Sequence, residues 1–197
     1  MITESHLVHR TTLPMACELI LGGARSGKSR LAEARAAADG RPVTVIATAE
    51  ALDAEMALRI ARHRADRPQH WRTLEAPRGL ASILDREAAP DRCLIVDCLT
   101  LWLANLMDGA DGLREPHDLG HLPALAAERE SLLKALPALP GRVLLVANEV
   151  GLGLVPETPL GRLFRDEAGR LNQQVAALAA RVTFVAAGLP LDLKGAP

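Results

Sequence analysis

Residues 22–29 read Gly-Gly-Ala-Arg-Ser-Gly-Lys-Ser, the pattern G-x-x-x-x-G-K-[ST], set between the apolar run Cys17–Leu21 and the helix-forming stretch Arg30-Leu31-Ala32-Glu33. A buried strand, a glycine-rich turn and a helix N-terminus in that order make a phosphate-binding loop. Gly22 and Gly27 allow backbone angles that side chains forbid, so successive N–H groups can point inward at phosphate oxygens. Lys28 supplies a point charge for the β- and γ-phosphates, and the Ser29 hydroxyl can ligate Mg²⁺. The pattern therefore predicts a chain that binds a nucleoside triphosphate, with Mg²⁺ as its metal.

Such a loop needs a sheet behind it. Five short apolar runs supply candidate strands: Cys17–Leu21, Val43–Thr48, Cys93–Cys98, Val143–Asn148 and Val182–Ala187. They lack polar alternation, so both faces of each are expected to be covered, as in parallel sheets. Between them, Ser29–Asp39 is expected to be a helix closed by Gly40, and Asp53–Asp66 one opened by Asp53 and stopped before Pro68. Leu160, Leu163, Phe164, Ala168, Leu171, Val175 and Leu178 form an apolar stripe at helical spacing. The alternation predicts an α/β fold in three layers, with a mostly parallel sheet and ligands at the carboxyl ends of its strands. Residues 1–16 are expected to be a loose tail before a single domain over 17–197, and Gly109–Pro123 reads as a loop. The run Leu99-Thr100-Leu101-Trp102-Leu103 is expected to be core, with a subunit contact as the other reading.

A chain of 197 residues can bury a full core in one domain. Aromatics are 2% and Tyr is absent, so that core must come from Leu, Val, Ile and Ala. The net charge is −1 with mixed signs throughout. No basic field is present to hold a nucleic-acid backbone and few rings to stack its bases, so no nucleic-acid partner is expected. No apolar run approaches the roughly 18 residues of a membrane span, and the first sixteen residues lack the apolar centre of a secretory signal. Cys17, Cys93 and Cys98 fall in strand-like runs with no C-x-x-C pair, which predicts buried free thiols and a cytoplasmic location.

Three further features carry chemistry. Leu94-Ile95-Val96-Asp97 ends in a carboxylate, where an acid meets Mg²⁺ or its water shell in phosphate-loop proteins; an Asp capping a loop is the alternative. Asn148-Glu149 ends another strand, with Glu149 read either as a site group or as a holder of its loop. Between Ala47 and Glu75, Met56, Ile60 and His63 share one helical face, which turns the imidazole inward. Arg59, Arg62, Arg64 and Arg67 surround it, a set of guanidiniums suited to phosphate or to a solvated helix face. An imidazole has an ordinary pKa of about 6.5 and is mostly unprotonated at neutral pH, so it can act as a nucleophile toward phosphorus. A packed or capping histidine is the plainer reading.

The blocks LGGARSGKSRLAE, VIATAEALDAEM with its following HR, DRP and HWRT, LIVDCLTLWLANLM, and VANEVGLGLVPETPLGRLFRDEAGRLNQ occur in this order. Together they resemble the bifunctional adenosylcobinamide kinase/adenosylcobinamide-phosphate guanylyltransferase family of cobalamin biosynthesis, over nearly the whole chain, from Glu18 to Lys194. The resemblance implies a RecA-like P-loop NTPase domain and two reactions. A nucleoside triphosphate, ATP or GTP, phosphorylates adenosylcobinamide, and GTP then donates GMP to that phosphate through a histidine phosphoramidate. His63 falls at the place of that histidine, with His70 as fallback. Some relatives carry two adjacent histidines where this chain has Arg62-His63, and Glu can stand where this chain has Asp97.

The resemblance also implies nucleotide contacts from Gly22, Gly23, Ala24, Arg25, Ser26, Gly27, Lys28 and Ser29. Further contacts are implied from Ala47, Thr48 and Ala49, from Arg64, Ala65, Asp66 and Arg67, and from Glu75 and Asp97. His63 and Lys28 are the expected catalytic residues, and Ser29 and Asp97 the expected metal ligands. The implied partners are a small-molecule corrinoid, nucleotides, and further copies of the chain in a homo-oligomer, a trimer. Two other readings stay open: a small-metabolite kinase of another pathway, and a non-catalytic nucleotide switch.

Overall fold

The computed structural model describes residues 16–107 and 122–195. In chain order its strands are β1 (Ala16–Gly22), β2 (Val43–Ala47), β3 (Arg72–Glu75), β4 (Cys93–Asp97), β5 (Arg142–Asn148), β6 (Arg181–Ala186) and β7 (Leu189–Lys194). The helices are α1 (Lys28–Asp39), α2 (Ala54–Ala65), α3 (Leu80–Glu87), α4 (Leu99–Leu106), α5 (Pro123–Ala135) and α6 (Pro159–Leu178). The strands form one sheet in the order β3-β2-β4-β5-β1-β6-β7. All neighbours are parallel except β6 and β7, which form an antiparallel hairpin.

Alternate residues of the central strands enter two separate cores. Ile20, Val45, Ile95, Leu144 and Val146 point to the face where Ala32 and Ala36 of α1 lie. Leu19, Leu21, Leu94, Val96 and Leu145 point to the opposite face, packed by Leu80 of α3, Trp102 of α4, Leu132 of α5 and Leu171 of α6. Small alanines on α1 let that helix lie close to the sheet. Leucines fill the thicker layer, each buried one contributing about 1.5–3 kcal/mol relative to exposure. From β1 the chain crosses to β2 on one side, and from β5 it returns past β1 to β6. The crevice at such a switch point, outside the carboxyl end of β1, is where ligands bind in sheets of this kind.

The helix boundaries follow local chemistry. Gly40 closes α1 in a left-handed conformation, φ 77°. Asp53 caps α2 by accepting from the Met56 N–H at 2.7 Å. Thr158 caps α6 through Gly161 N–H at 3.1 Å, with Pro159 in the first turn. Leu99–Leu103 lies in α4, where Leu99, Trp102 and Leu103 are core and Leu101 is half-buried. None of the described helices is long and apolar enough to cross a membrane.

The structure departs from expectation at several places. Strands β3 and β7 were not expected, because neither is a continuous apolar run. Strands β2, β4 and β6 each stop one residue early. Thr48 and Cys98 are drawn out of their strands by each other, the Thr48 hydroxyl donating to Cys98 O at 2.7 Å and accepting from Cys98 N at 2.9 Å. Ala187, at φ 50°, is already in the β6–β7 turn. The first strand begins at Ala16, while the rest of the expected tail, residues 1–15, lies outside the described residues. So does most of the Gly109–Pro123 loop, whose last residue opens α5.

Candidate active site

The phosphate loop runs from the end of β1 into α1. At Gly22 an added Cβ would come within 2.5 Å of both the Ser26 hydroxyl and the Val185 carbonyl, so the strand end leaves no room for a side chain. Gly27 holds φ 99° at the helix N-cap, which an L side chain rarely adopts. Arg25 is also left-handed, at φ 56°. The β6–β7 turn braces the loop from outside, with Gly188 N–H donating to Ser26 O at 2.8 Å. Lys28 is buried, and its Nζ donates to Gly23 O at 2.9 Å across the turn.

Beside this loop lies a cleft of about 570 Å³. Of the expected residues, Ala24, Arg25, Ser26, Gly27, Lys28, Ser29, Ala47, Ala49, His63, Arg67 and Asp97 line it. Met56 and Ile60 line it as well, so the face of α2 that carries them also presents His63 to the cleft. The imidazole is exposed there.

A polar chain crosses the cleft floor. The Ser29 hydroxyl donates to Asp97 Oδ1 at 3.4 Å, and Arg67 Nη2 donates to Asp97 Oδ2 at 2.8 Å. Arg67 Nε continues it to Glu33 Oε1 on α1 at 3.3 Å. Burial pushes the Glu33 carboxyl up, against the pull of the Arg67 hydrogen bond and charge. Mg²⁺, the metal that the loop implies, takes hard oxygen donors and keeps one or two protein ligands beside substrate phosphates. The neighbouring Ser29 hydroxyl and Asp97 carboxylate fit that demand. No group of three or more metal-ligating side chains occurs among the described residues.

Other expected residues lie elsewhere. Thr48 is fully buried: its hydroxyl holds Cys98, and its carbonyl accepts from Asn105 Nδ2 at 2.7 Å. Gly22 and Gly23 shape the loop from behind and do not line the cleft. Arg64, Ala65 and Asp66 are exposed at the end of α2, and Glu75 is exposed at the end of β3, all off the cleft lining. Arg62 is exposed as well, and the Arg59 side chain lies outside the described residues. His70 is exposed and sits edge-on to Trp71, ring centres 6.5 Å apart. Asn148 lines the cleft, whereas Glu149 turns back to accept from Gly151 N–H at 2.5 Å.

Sequence reasoning did not single out Glu33, although its spacing of four from Ser29 on α1 puts the two on one helical face. Arg30, Cys98 and Leu101 also line the cleft; they fall within the blocks that carry the resemblance, but their residue types carried no expectation of a site role.

The fold is shared widely. FlaH, a flagellar accessory protein from Methanocaldococcus jannaschii, superposes with a TM-score of 0.50 at 15% identity, covering 92% of this chain and 79% of its own. An ATPase from the type III secretion system of pathogenic bacteria gives 0.52 at 15% identity, over 91% of this chain and 57% of its own. These are likenesses of a RecA-like P-loop NTPase fold. Sequence relatives are nearer. The bifunctional adenosylcobalamin biosynthesis protein CobP of Pseudomonas aeruginosa is 57% identical over 91% of this chain and 98% of its own length. CobU of Escherichia coli is 44% identical over 89% and 98%. The profile described as cobinamide kinase / cobinamide phosphate guanyltransferase matches residues 18–193. With the phosphate loop, the strand-end acid and the histidine helix gathered at one cleft, the chain belongs to the cobinamide kinase / cobinamide phosphate guanyltransferase family.

Proposed function

We propose that this chain phosphorylates the aminopropanol hydroxyl of adenosylcobinamide and then transfers GMP from GTP to that phosphate, with His63 carrying the GMP between the two. The observation that carries the reading is that His63 and the phosphate loop line the same cleft. A nucleotide whose β- and γ-phosphates lie against Lys28 and the loop amides would occupy the cleft that His63 also lines.

In the transfer half, an unprotonated His63 nitrogen attacks the α-phosphorus. An N–P bond forms as the bond to the β-phosphate oxygen breaks, and pyrophosphate leaves. Lys28 and the loop N–H groups stabilise the charge that builds on that leaving group. A phosphate oxygen of the corrinoid then attacks the same phosphorus, and the N–P bond breaks to return free His63. Two displacements replace one harder one. Mg²⁺ bound at Ser29 and Asp97 would add charge neutralisation on the phosphates. Arg67, on the cleft floor, can steady the GMP group. In the kinase half the hydroxyl oxygen attacks the γ-phosphorus as the bond to the β-phosphate oxygen breaks. The nucleoside diphosphate leaves, the hydroxyl proton passes to solvent, and Lys28 with the loop supplies positioning and charge neutralisation.

The test is incubation with GTP labelled on the α-phosphate. Label is expected on the protein in a bond stable to base and labile to acid, and absent from His63→Ala. Label persisting on His63→Ala would overturn the assignment. Mass analysis of the corrinoid after incubation with adenosylcobinamide, ATP, GTP and Mg²⁺ should find the GDP-linked product. Its absence alongside labelled protein would mean that GMP is delivered to another acceptor.

A further inference from the structure

Helix α2 carries the proposed nucleophile but has little core of its own. Of its described side chains only Met56 and Ile60 are half-buried, and the others, His63 included, are exposed. Something else must fix its C-terminal end. Four residues after His63, Arg67 has a side chain only 7% exposed and sits between two carboxylates from other elements. Asp97 Oδ2 at the end of β4 takes Nη2 at 2.8 Å, and Glu33 Oε1 on α1 takes Nε at 3.3 Å. The two oxygens of Asp97 are divided, one toward Ser29 and one toward Arg67.

We propose that Glu33 is a positioning residue for guanylyl transfer. With Asp97 it grips the Arg67 guanidinium, and this grip holds the end of α2, and with it His63, over the phosphate loop. The inference rests on the reading of His63 as nucleophile. Asp97 alone could hold the guanidinium at one edge, but a single contact leaves the planar group free to swing. A second carboxylate on a different element fixes its plane. The arrangement keeps Glu33 partly buried although burial disfavours its charge. Reactive groups misplaced by about 1 Å can lose about a hundredfold in rate, so an anchor of this kind acts on chemistry without touching substrate.

The experiment compares wild type, Glu33→Gln, Arg67→Ala and the double variant in the full-length chain. Two quantities are read: the single-turnover rate of GMP attachment from α-labelled GTP, and amide hydrogen exchange across residues 54–67 without nucleotide. Glu33→Gln should slow attachment by about tenfold or more and speed exchange in 54–67 while leaving 28–39 as protected as in wild type. In the Arg67→Ala background the same change should add nothing to either quantity. Attachment within about twofold of wild type, unchanged exchange in 54–67, or a full Glu33→Gln effect in the absence of Arg67 would each overturn the proposal. If wild type takes no label, the nucleophile reading fails. The exchange arm then still decides whether Glu33 and Arg67 hold α2. Should Arg67→Ala fail to fold, Arg67→Lys takes its place, since a lysine cannot bond both carboxylates in one plane.

Discussion

Two adjacent glycines open the phosphate loop, and their surroundings give them opposite tolerances. A methyl group on Gly22 meets the Val185 carbonyl at 2.5 Å, and that atom is backbone in β6 and cannot yield cheaply. A methyl group on Gly23 meets nothing within 4 Å, and Gly23 is not in a left-handed conformation. Gly22→Ala should therefore lower stability by about 1–3 kcal/mol and impair nucleotide binding, while Gly23→Ala should change the melting temperature little. Thermal melts of the two variants check this, and equal shifts would contradict it. The motif announced Gly22, but the reason lies in β6, far along the chain. Arg67 reaches the cleft and Arg64 does not, although both were marked. Arg67 lies two residues past the end of α2, where Asp97 and Glu33 hold its guanidinium at the cleft, whereas Arg64 is still on α2 and turned a full step of about 100° from His63. Thr48 was marked by resemblance and is buried, its hydroxyl spent on Cys98. Glu33 was legible only as a helical neighbour of Ser29, since its partner Arg67 comes from a different element.

Among elements, the strands buried on both faces were legible and the edge strands were not. Continuous apolar runs mark central parallel strands because both faces need covering. Strand β3 is Arg-Thr-Leu-Glu, with both ends exposed, and β7 alternates Leu189, Leu191 and Leu193 with Pro190, Asp192 and Lys194. Pro190 is tolerated because an edge strand can spare an N–H. Helix α5 adjoins residues outside those described, and its apolar face is a single seam through Leu125 and Leu132. The central strands also decide the fate of the thiols. Burial pushes Cys17 in β1 up to about 12 and Cys93 in β4 up to about 11, and it raises Cys98 as well. The thiolate is the reactive form, so a raised pKa leaves less of it at any pH below that value. At pH 8 the native protein should react with a thiol-specific disulfide reagent far more slowly than in denaturant, where all three cysteines should titrate. Rapid reaction of Cys17 or Cys93 in the native protein would mean that these strands open readily.

At the scale of the whole molecule, the phosphate loop is where separate parts of the chain meet. It continues β1, starts α1, bonds the β6–β7 turn through Ser26, and faces Asp97 of β4 through Ser29. A ligand held there meets residues from Ala24 to Asn148, and the β6–β7 turn braces the loop that holds it, so unfolding any of these parts weakens the site. Binding should therefore stabilise the entire fold and not only the loop. A ligand that binds only the folded state adds about 2.7 kcal/mol at one hundred times its dissociation constant. For a domain of this size each kcal/mol raises the melting temperature by about 2–4 °C. GTP with Mg²⁺ at that level should then raise the melting temperature by about 5–11 °C in one cooperative transition. Lys28→Ala removes the charge proposed to face the phosphates and one hydrogen bond to Gly23 O while leaving both cores intact. Its melting temperature without nucleotide should therefore fall by only a few degrees, about what one hydrogen bond is worth, and its shift with GTP should largely vanish. A shift of equal size in Lys28→Ala would mean that the nucleotide is held elsewhere. A biphasic melt in which only one phase responds would mean that the loop does not join the parts of the chain into one unit.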